Sequence, residues 1–143
     1  RVNPLCHLPQ MKRGNYADCL YAADFARRQG AREALFCTPD GQLLEGATSN
    51  LFAIVDGILV TPPAGELVLA GILRRQILTA ADRLGLAWRE APLPLAEISA
   101  AEEMFLSNSL IGLLPVASIN GTPLRRSQRW EGLLQAIDAA AEN

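Results

Sequence analysis

The strongest constraint on the fold is the run from Leu51 through Val55, Asp56-Gly57, and Ile58 through Thr61. Two short apolar segments flank an Asp-Gly dipeptide, the pair that most readily enters a tight hairpin turn, so strands are predicted over 51–55 and 58–61. A second hairpin precedes this one. The apolar run 33–38, the Pro39-Asp40-Gly41 turn and a returning strand over 42–46 follow the same logic. Strands joined by hairpins build a largely antiparallel or mixed sheet.

Helices interrupt these strands. Leu20, Ala23, Phe25 and Ala26 recur at helical spacing between Asn15, suited to an N-cap, and Gly30, suited to a C-terminal cap, which predicts an amphipathic helix over 16–29. From Gly71, the residues Ile72, Leu73, Ile77, Leu78, Ala81 and Leu84 share one face as far as Gly85, a second helix. The remainder reads as a strand over 86–91, a loop with a turn of helix over 92–101, a buried strand over 103–107 and a strand over 113–119. A turn at Asn120-Gly121 and a C-terminal helix from about Ser127 complete the chain. Adjacent Glu102 and Glu103 point to opposite faces of their strand and read as a solvated edge. The fold class is mixed α/β (α+β).

At 143 residues, half of them apolar, the chain can bury one core and is read as one domain. A net charge of −2, with no basic cluster beyond Arg74-Arg75 and Arg125-Arg126, gives no footprint for nucleic acid or anionic lipid. Cys6, Cys19 and Cys37 are widely spaced, with only His7 to help them, so no metal is expected and the thiols read as reduced residues of a cytoplasmic protein. No stretch predicts a membrane span or a signal peptide. The chain begins with Arg1 rather than methionine, as a piece of a longer protein would. A dinucleotide fold lacks its Gly-x-Gly-x-x-Gly, a phosphate loop lacks its Gly-Lys pair, and a serine hydrolase lacks its nucleophile elbow.

Lys12 is the single lysine in a chain whose other basic side chains are arginines. A lysine amine can lose its proton and attack a carbonyl, which arginine does not do. It lies just ahead of the first predicted helix, in a segment over 1–14 that reads as extended.

Five motifs in order carry a resemblance: Lys12-x-x-Asn15, Glu45-Gly46-x-Thr48-Ser49-Asn50-Leu51-Phe52, Asp56-Gly57-Ile58-Leu59-x-Thr61-Pro62, Gly71-Ile72-Leu73-Arg74, and Ser107-Asn108-Ser109-Leu110 ahead of Leu114-Pro115-Val116. Together they resemble the class IV pyridoxal-phosphate enzymes, which include branched-chain and D-amino-acid aminotransferases and 4-amino-4-deoxychorismate lyase. The resemblance implies the large C-terminal domain of fold type IV, with a mixed or antiparallel sheet or barrel-like core and flanking helices.

It also implies roles. Lys12 matches the lysine that forms a Schiff base with pyridoxal 5'-phosphate and then shuttles protons. Glu45 matches the acid that keeps the pyridine nitrogen protonated, making the ring an electron sink. Gly71, Ile72 and Leu73 match the segment whose N–H groups hold the phosphate, and a helix start with free donors and a positive dipole end supports that independently. Ser109 falls where the family has a phosphate-binding hydroxyl, and Tyr16 either faces the cofactor edge or simply begins its helix. Thr48, Ser49 and Asn50 are expected to shape the turn after Glu45.

Family members carry a smaller N-terminal domain that supplies an arginine to the phosphate and a wall of the substrate pocket. Nothing precedes Arg1 here, so 1–143 is read as the C-terminal domain alone, inactive by itself, whose whole enzyme is a cytoplasmic homodimer acting on a small molecule. Ser107-Asn108-Ser109-Leu110 is more like the Asn-x-Leu run of the lyases than the corresponding run of the aminotransferases. The favoured reading is therefore the lyase of folate biosynthesis, which yields 4-aminobenzoate and pyruvate; Gly14-Asn15-Tyr16 resembles branched-chain aminotransferases instead, and a branched-chain or D-amino-acid aminotransferase is the alternative. A non-catalytic isolated domain is the third alternative.

Overall fold

The computed structural model describes residues 12 and 16–141. The expected extended segment over 1–14, with Cys6 and His7, lies outside the described residues apart from Lys12, as does Asn15. Helix α1 spans Ala17–Arg28 and has Tyr16 at its N-cap position. Gly30 follows in the left-handed region (φ 74°), and the Ala31 N–H reaches back to the Ala26 carbonyl, so the chain is turned where glycine permits it.

The first hairpin pairs β1 (Leu35–Cys37) with β2 (Gln42–Gly46). The second pairs β3 (Asn50–Val55) with β4 (Ile58–Thr61) through Asp56 and Gly57 at φ 50° and 74°, the two positive values that a tight hairpin turn requires. Helix α2 (Ile72–Arg83) then crosses the sheet and delivers β5 (Trp88–Glu90), which runs parallel to β4. Next come β6 (Leu93–Pro94), a 3-10 helix over Leu95–Ala100, and β7 (Glu103–Asn108). The chain closes with β8 (Gly112–Pro115), β9 (Ser118–Ile119), β10 (Thr122–Pro123) and α3 (Arg129–Ala141).

β3 is the hub. It pairs antiparallel with β4 along one edge and with β7 along the other, and at its first residue it meets β2 through the Glu45–Asn50 pair. Both of its faces are covered, which is why its sequence is apolar without alternation. Phe52 and Ile54 join Phe105, Ile77, Ala81 and Leu133 beneath α2 and α3; Leu51 and Ala53 join Leu43, Val60, Met104 and Leu106 on the other side. Phe52 and Phe105, a cross-strand pair, stack with centroids 5.1 Å apart.

Several expectations need correction. The strand over 113–119 is two strands, because Pro115 brings no N–H to the ladder and the chain then turns into the β9–β10 hairpin at Asn120-Gly121 (φ 50° and 81°). Glu102 and Glu103 are no solvated edge. Glu103 is 1% exposed and accepts hydrogen bonds from the Ser127 hydroxyl and from the Gln128 and Trp130 N–H groups, so it caps α3 from outside that helix. Glu102 accepts the Gly57 N–H at 2.7 Å. In α2, Ile72 and Leu84 lie off the buried stripe, and in α1 only Ala26 is buried. Among the described residues no helix is long and apolar enough to cross a membrane.

Candidate active site

Strand register places the first polar groups. Asn50 opens β3 and stands between Glu45 of β2 and Ser107 of β7, so three strands contribute one row of side chains at the same end of the sheet. The turn that makes this possible is tight: the Gly46 N–H donates to the Ser49 carbonyl at 2.7 Å, and a side chain at Gly46 would run into the Ser49 hydroxyl. Thr48 and Ser49 donate their hydroxyls to Glu33, which ties the turn to the segment ahead of β1.

Glu45 is half-buried, and its Oε2 accepts two donors, the Leu69 N–H at 3.0 Å and the Asn50 amide at 3.3 Å. Burial pushes its carboxyl up to about 7, against the Leu69 hydrogen bond and the Arg74 charge, which both act to lower it. A carboxyl poised near neutrality can hold or release a proton at small cost, as a site acid must. Arg74 is itself buried, donating to the Pro62 carbonyl at 3.0 Å and lying 2.9 Å from Glu90.

α2 begins against this row. Gly71 is extended (φ −65°, ψ 147°), no side chain caps the helix, and no acidic residue stands in its first turn. The N–H groups of Ile72 and Leu73 therefore belong to the set that an α-helix leaves without an internal acceptor, and such a start can hold an anion. A Cβ at Gly71 would collide with Asn50 Oδ1, so glycine is needed here for close approach. Ser107, in register with Asn50, is 1% exposed, and its hydroxyl has no hydrogen-bond partner among the described residues.

These groups line one cleft of about 730 Å³. Lys12, Tyr16, Glu45, Gly71, Ile72, Leu73 and Ser109 all border it, so every residue picked out from the sequence comes to a single place. Lys12 is exposed; Tyr16 begins α1, its carbonyl accepting the Leu20 N–H, and it also borders the cleft. Ser109 is exposed in the turn after β7, where Asn108 accepts the Leu110 and Ile111 N–H groups and donates to the Thr48 carbonyl. A larger groove of about 1170 Å³ under α1 contains none of these residues.

The family model for class IV amino-transferases matches residues 1–119. The chain belongs to the class IV aminotransferase family. The branched-chain-amino-acid aminotransferase of Escherichia coli K12 is 38% identical over 108 residues, 76% of this chain and 35% of that protein. A D-alanine aminotransferase of Listeria monocytogenes is 34% identical over 110 residues, covering 77% and 38%. Among solved structures, the branched-chain aminotransferase of Thermoproteus uzoniensis with norvaline has a TM-score of 0.89 at 29% identity, over 96% of this chain and 47% of that one. A provisional 4-amino-4-deoxychorismate lyase of Legionella pneumophila has a TM-score of 0.85 at 28% identity, over 91% and 49%. A hypothetical aminotransferase of Mycobacterium tuberculosis in its pyridoxal-phosphate-bound form has a TM-score of 0.87 at 26% identity, over 95% and 49%. The chain thus spans about a third of the length of these sequence relatives and about half of these solved chains.

Class IV membership leaves three residues that the motif reading passed over. Asn50 was expected only to shape its turn, yet it hydrogen-bonds the site carboxylate and the Leu69 carbonyl. Ser107 was noted only as a neighbour of Ser109, yet its hydroxyl is the buried one. Arg74 sits inside a quoted motif, but its burial is invisible in an apolar stripe pattern that assigns arginine to solvent.

Proposed function

We propose that this chain is the cofactor-binding C-terminal domain of a pyridoxal-phosphate enzyme. The observation that carries the reading is the convergence of an amine, a carboxylate and an uncapped helix start on one cleft. Pyridoxal phosphate presents three complementary groups: an aldehyde, a ring nitrogen and a phosphate. The Ser107 hydroxyl, buried on the lining of the same cleft with no hydrogen-bond partner among the described residues, adds a polar group to it. When bound, the cofactor supplies an electron sink for negative charge at the substrate carbon. Lys12 would hold the cofactor through its aldehyde, and its amine would carry a proton at the substrate carbon. Glu45 would share a proton with the ring nitrogen, and the N–H groups of Ile72 and Leu73 with the Ser109 hydroxyl would hold the phosphate. Tyr16, which lines the same cleft as Lys12, would border the cofactor.

Within the family we favour 4-amino-4-deoxychorismate lyase, supported by the Ser107-Asn108-Ser109-Leu110 run. Asn108 is what builds that turn, and Leu110, 95% exposed, stands on the lining of the cleft. The second reading is a branched-chain or D-amino-acid aminotransferase, supported by the named activities of the sequence relatives. In either case the whole enzyme is read as a cytoplasmic homodimer whose N-terminal domain completes the phosphate site and the substrate wall. The deciding experiment gives the full-length protein both kinds of substrate. Formation of 4-aminobenzoate with pyruvate supports the lyase; amino transfer from a branched-chain or D-amino acid to a 2-oxo acid, with no 4-aminobenzoate, overturns it.

A further inference from the structure

We propose that Asn50 is a positioning residue that fixes the Glu45 carboxylate to the start of α2, so that the two ends of bound pyridoxal phosphate are held at a set spacing. The inference rests on the site reading above and deepens it. The side-chain amide has two N–H groups, and both are used: one on Glu45 Oε2 at 3.3 Å, the other on the Leu69 carbonyl at 2.8 Å. Leu69 returns its own N–H to the same Oε2 at 3.0 Å, and its carbonyl also accepts the Gly71 N–H at 2.9 Å. A closed ring of hydrogen bonds therefore runs from the carboxylate through Asn50 and Leu69 to the residue that heads the helix.

Geometry fixes the amide in turn. Asn50 is 5% exposed, held between Glu45 and Ser107 by strand register, and its Oδ1 lies where a Cβ on Gly71 would go. Both donors fall on Oε2, and no donor among the described residues takes Oε1, which leaves that oxygen for a group in the cleft. Hydrogen bonds to a carboxylate favour its charged form and orient it, so Asn50 acts on the reaction only through Glu45. A residue that merely packs would act on stability alone.

The test is a double-mutant cycle in the full-length protein, reading the dissociation constant of pyridoxal phosphate by fluorescence between pH 6 and 9. Asn50→Ala removes both donors without adding a charge beside Glu45; it should weaken cofactor binding about tenfold, the scale of a hydrogen bond to a charged group, and move the acid limb of the pH profile upward. In a Glu45→Gln background the same change should cost less than about threefold, because the charged acceptor is gone. Asn50→Leu, close to asparagine in shape and without donors, repeats the cycle should the alanine variant lose its far-ultraviolet spectrum. Equal losses in both backgrounds, or an unmoved pH profile, would overturn the inference while leaving the site reading in place. A wild type that takes up no pyridoxal phosphate overturns the site reading, and this inference with it.

Discussion

α1 and α2 are each twelve residues long and both start at the cleft, yet they are held in opposite ways. α2 buries Leu73, Arg74, Ile77, Leu78, Ala80 and Ala81, whereas α1 buries Ala26 alone and leaves Leu20, Tyr21 and Phe25 at 67%, 76% and 57% exposure. The difference separates two tasks under the proposed function. An anion site made of backbone N–H groups works only if those groups cannot move, and a helix locked in the core provides that. The wall ahead of α1 supplies a side chain that must form and release a bond, and a long lysine provides the reach.

The largest expected effect strips the reactive wall of its chemistry without touching the anchored one. Lys12→Arg in the full-length enzyme retains the charge and loses the nucleophilic amine. Activity should fall by at least about 10³-fold, in the range of general acid–base contributions alone, while the thermal midpoint stays put. Borohydride reduction and peptide mapping locate the attachment point, and label on any residue other than Lys12 in the wild type would refute the assignment.

Stability should divide the helices the other way. Ile77→Ala removes a side chain at 0% exposure beneath the sheet and should cost about 3 kcal/mol of unfolding free energy, whereas Leu20→Ala should stay within about 0.5 kcal/mol. Denaturant titration of the two variants side by side is the check. A comparable loss in both would mean that α1 is buried by something beyond the described residues.

The same contrast decides what could be read in advance. Hairpins were legible because Asp-Gly and Pro-Asp-Gly enforce local geometry, and α2 was legible because its buried stripe is periodic. Lys12, Glu45 and Gly71 stood out as motif members, and all three border the cleft to which the proposed function assigns them. Asn50 and Ser107 were harder, since their importance comes from register across three strands separated by up to 62 positions, which no local pattern encodes. Glu103 was misread for a related reason: period-two alternation sends it to one face, but only α3, arriving 26 residues later, decides that this face is buried and needs an acceptor. Amphipathic spacing in α1 was real and yet uncovered, so periodicity gave the face without saying what covers it.

A smaller effect tests the anchored wall through pH. Glu45 is held up to about 7 by burial, whereas its ordinary value is 4.5. Between these values the unfolded chain releases this proton and the folded chain keeps it, so the contribution to stability is full below about pH 4.5, declines as pH rises to about 7, and is level above. Glu45→Gln removes the dependence. The variant without cofactor should match the wild type at low pH and exceed it by on the order of 2 kcal/mol above pH 7, while binding pyridoxal phosphate less well, a trade of stability for function. Parallel stability curves from pH 4 to 8 would show that Glu45 is not a carboxyl held near neutrality.

The smallest effect sharpens the comparison at its centre, because it asks which helix start is the anion site. Both helices begin at the cleft, but of the two only α2 has a glycine head and no acid in its first turn; α1 carries Asp18 in its first turn, whose charge opposes an incoming anion. Inorganic phosphate, which lacks the ring and the aldehyde, isolates this term from Lys12 and Glu45. A helix-end contact contributes on the order of 1 kcal/mol, so half-saturation should require millimolar phosphate, and Ser109→Ala should weaken it severalfold. The measurement is backbone amide shifts in the full-length protein during a phosphate titration. Movement confined to Ile72, Leu73 and the Ser109 turn places the anion at α2. Movement of Asp18 and Cys19 instead would place it at α1, and the division of labour between the two helices would have to be reversed.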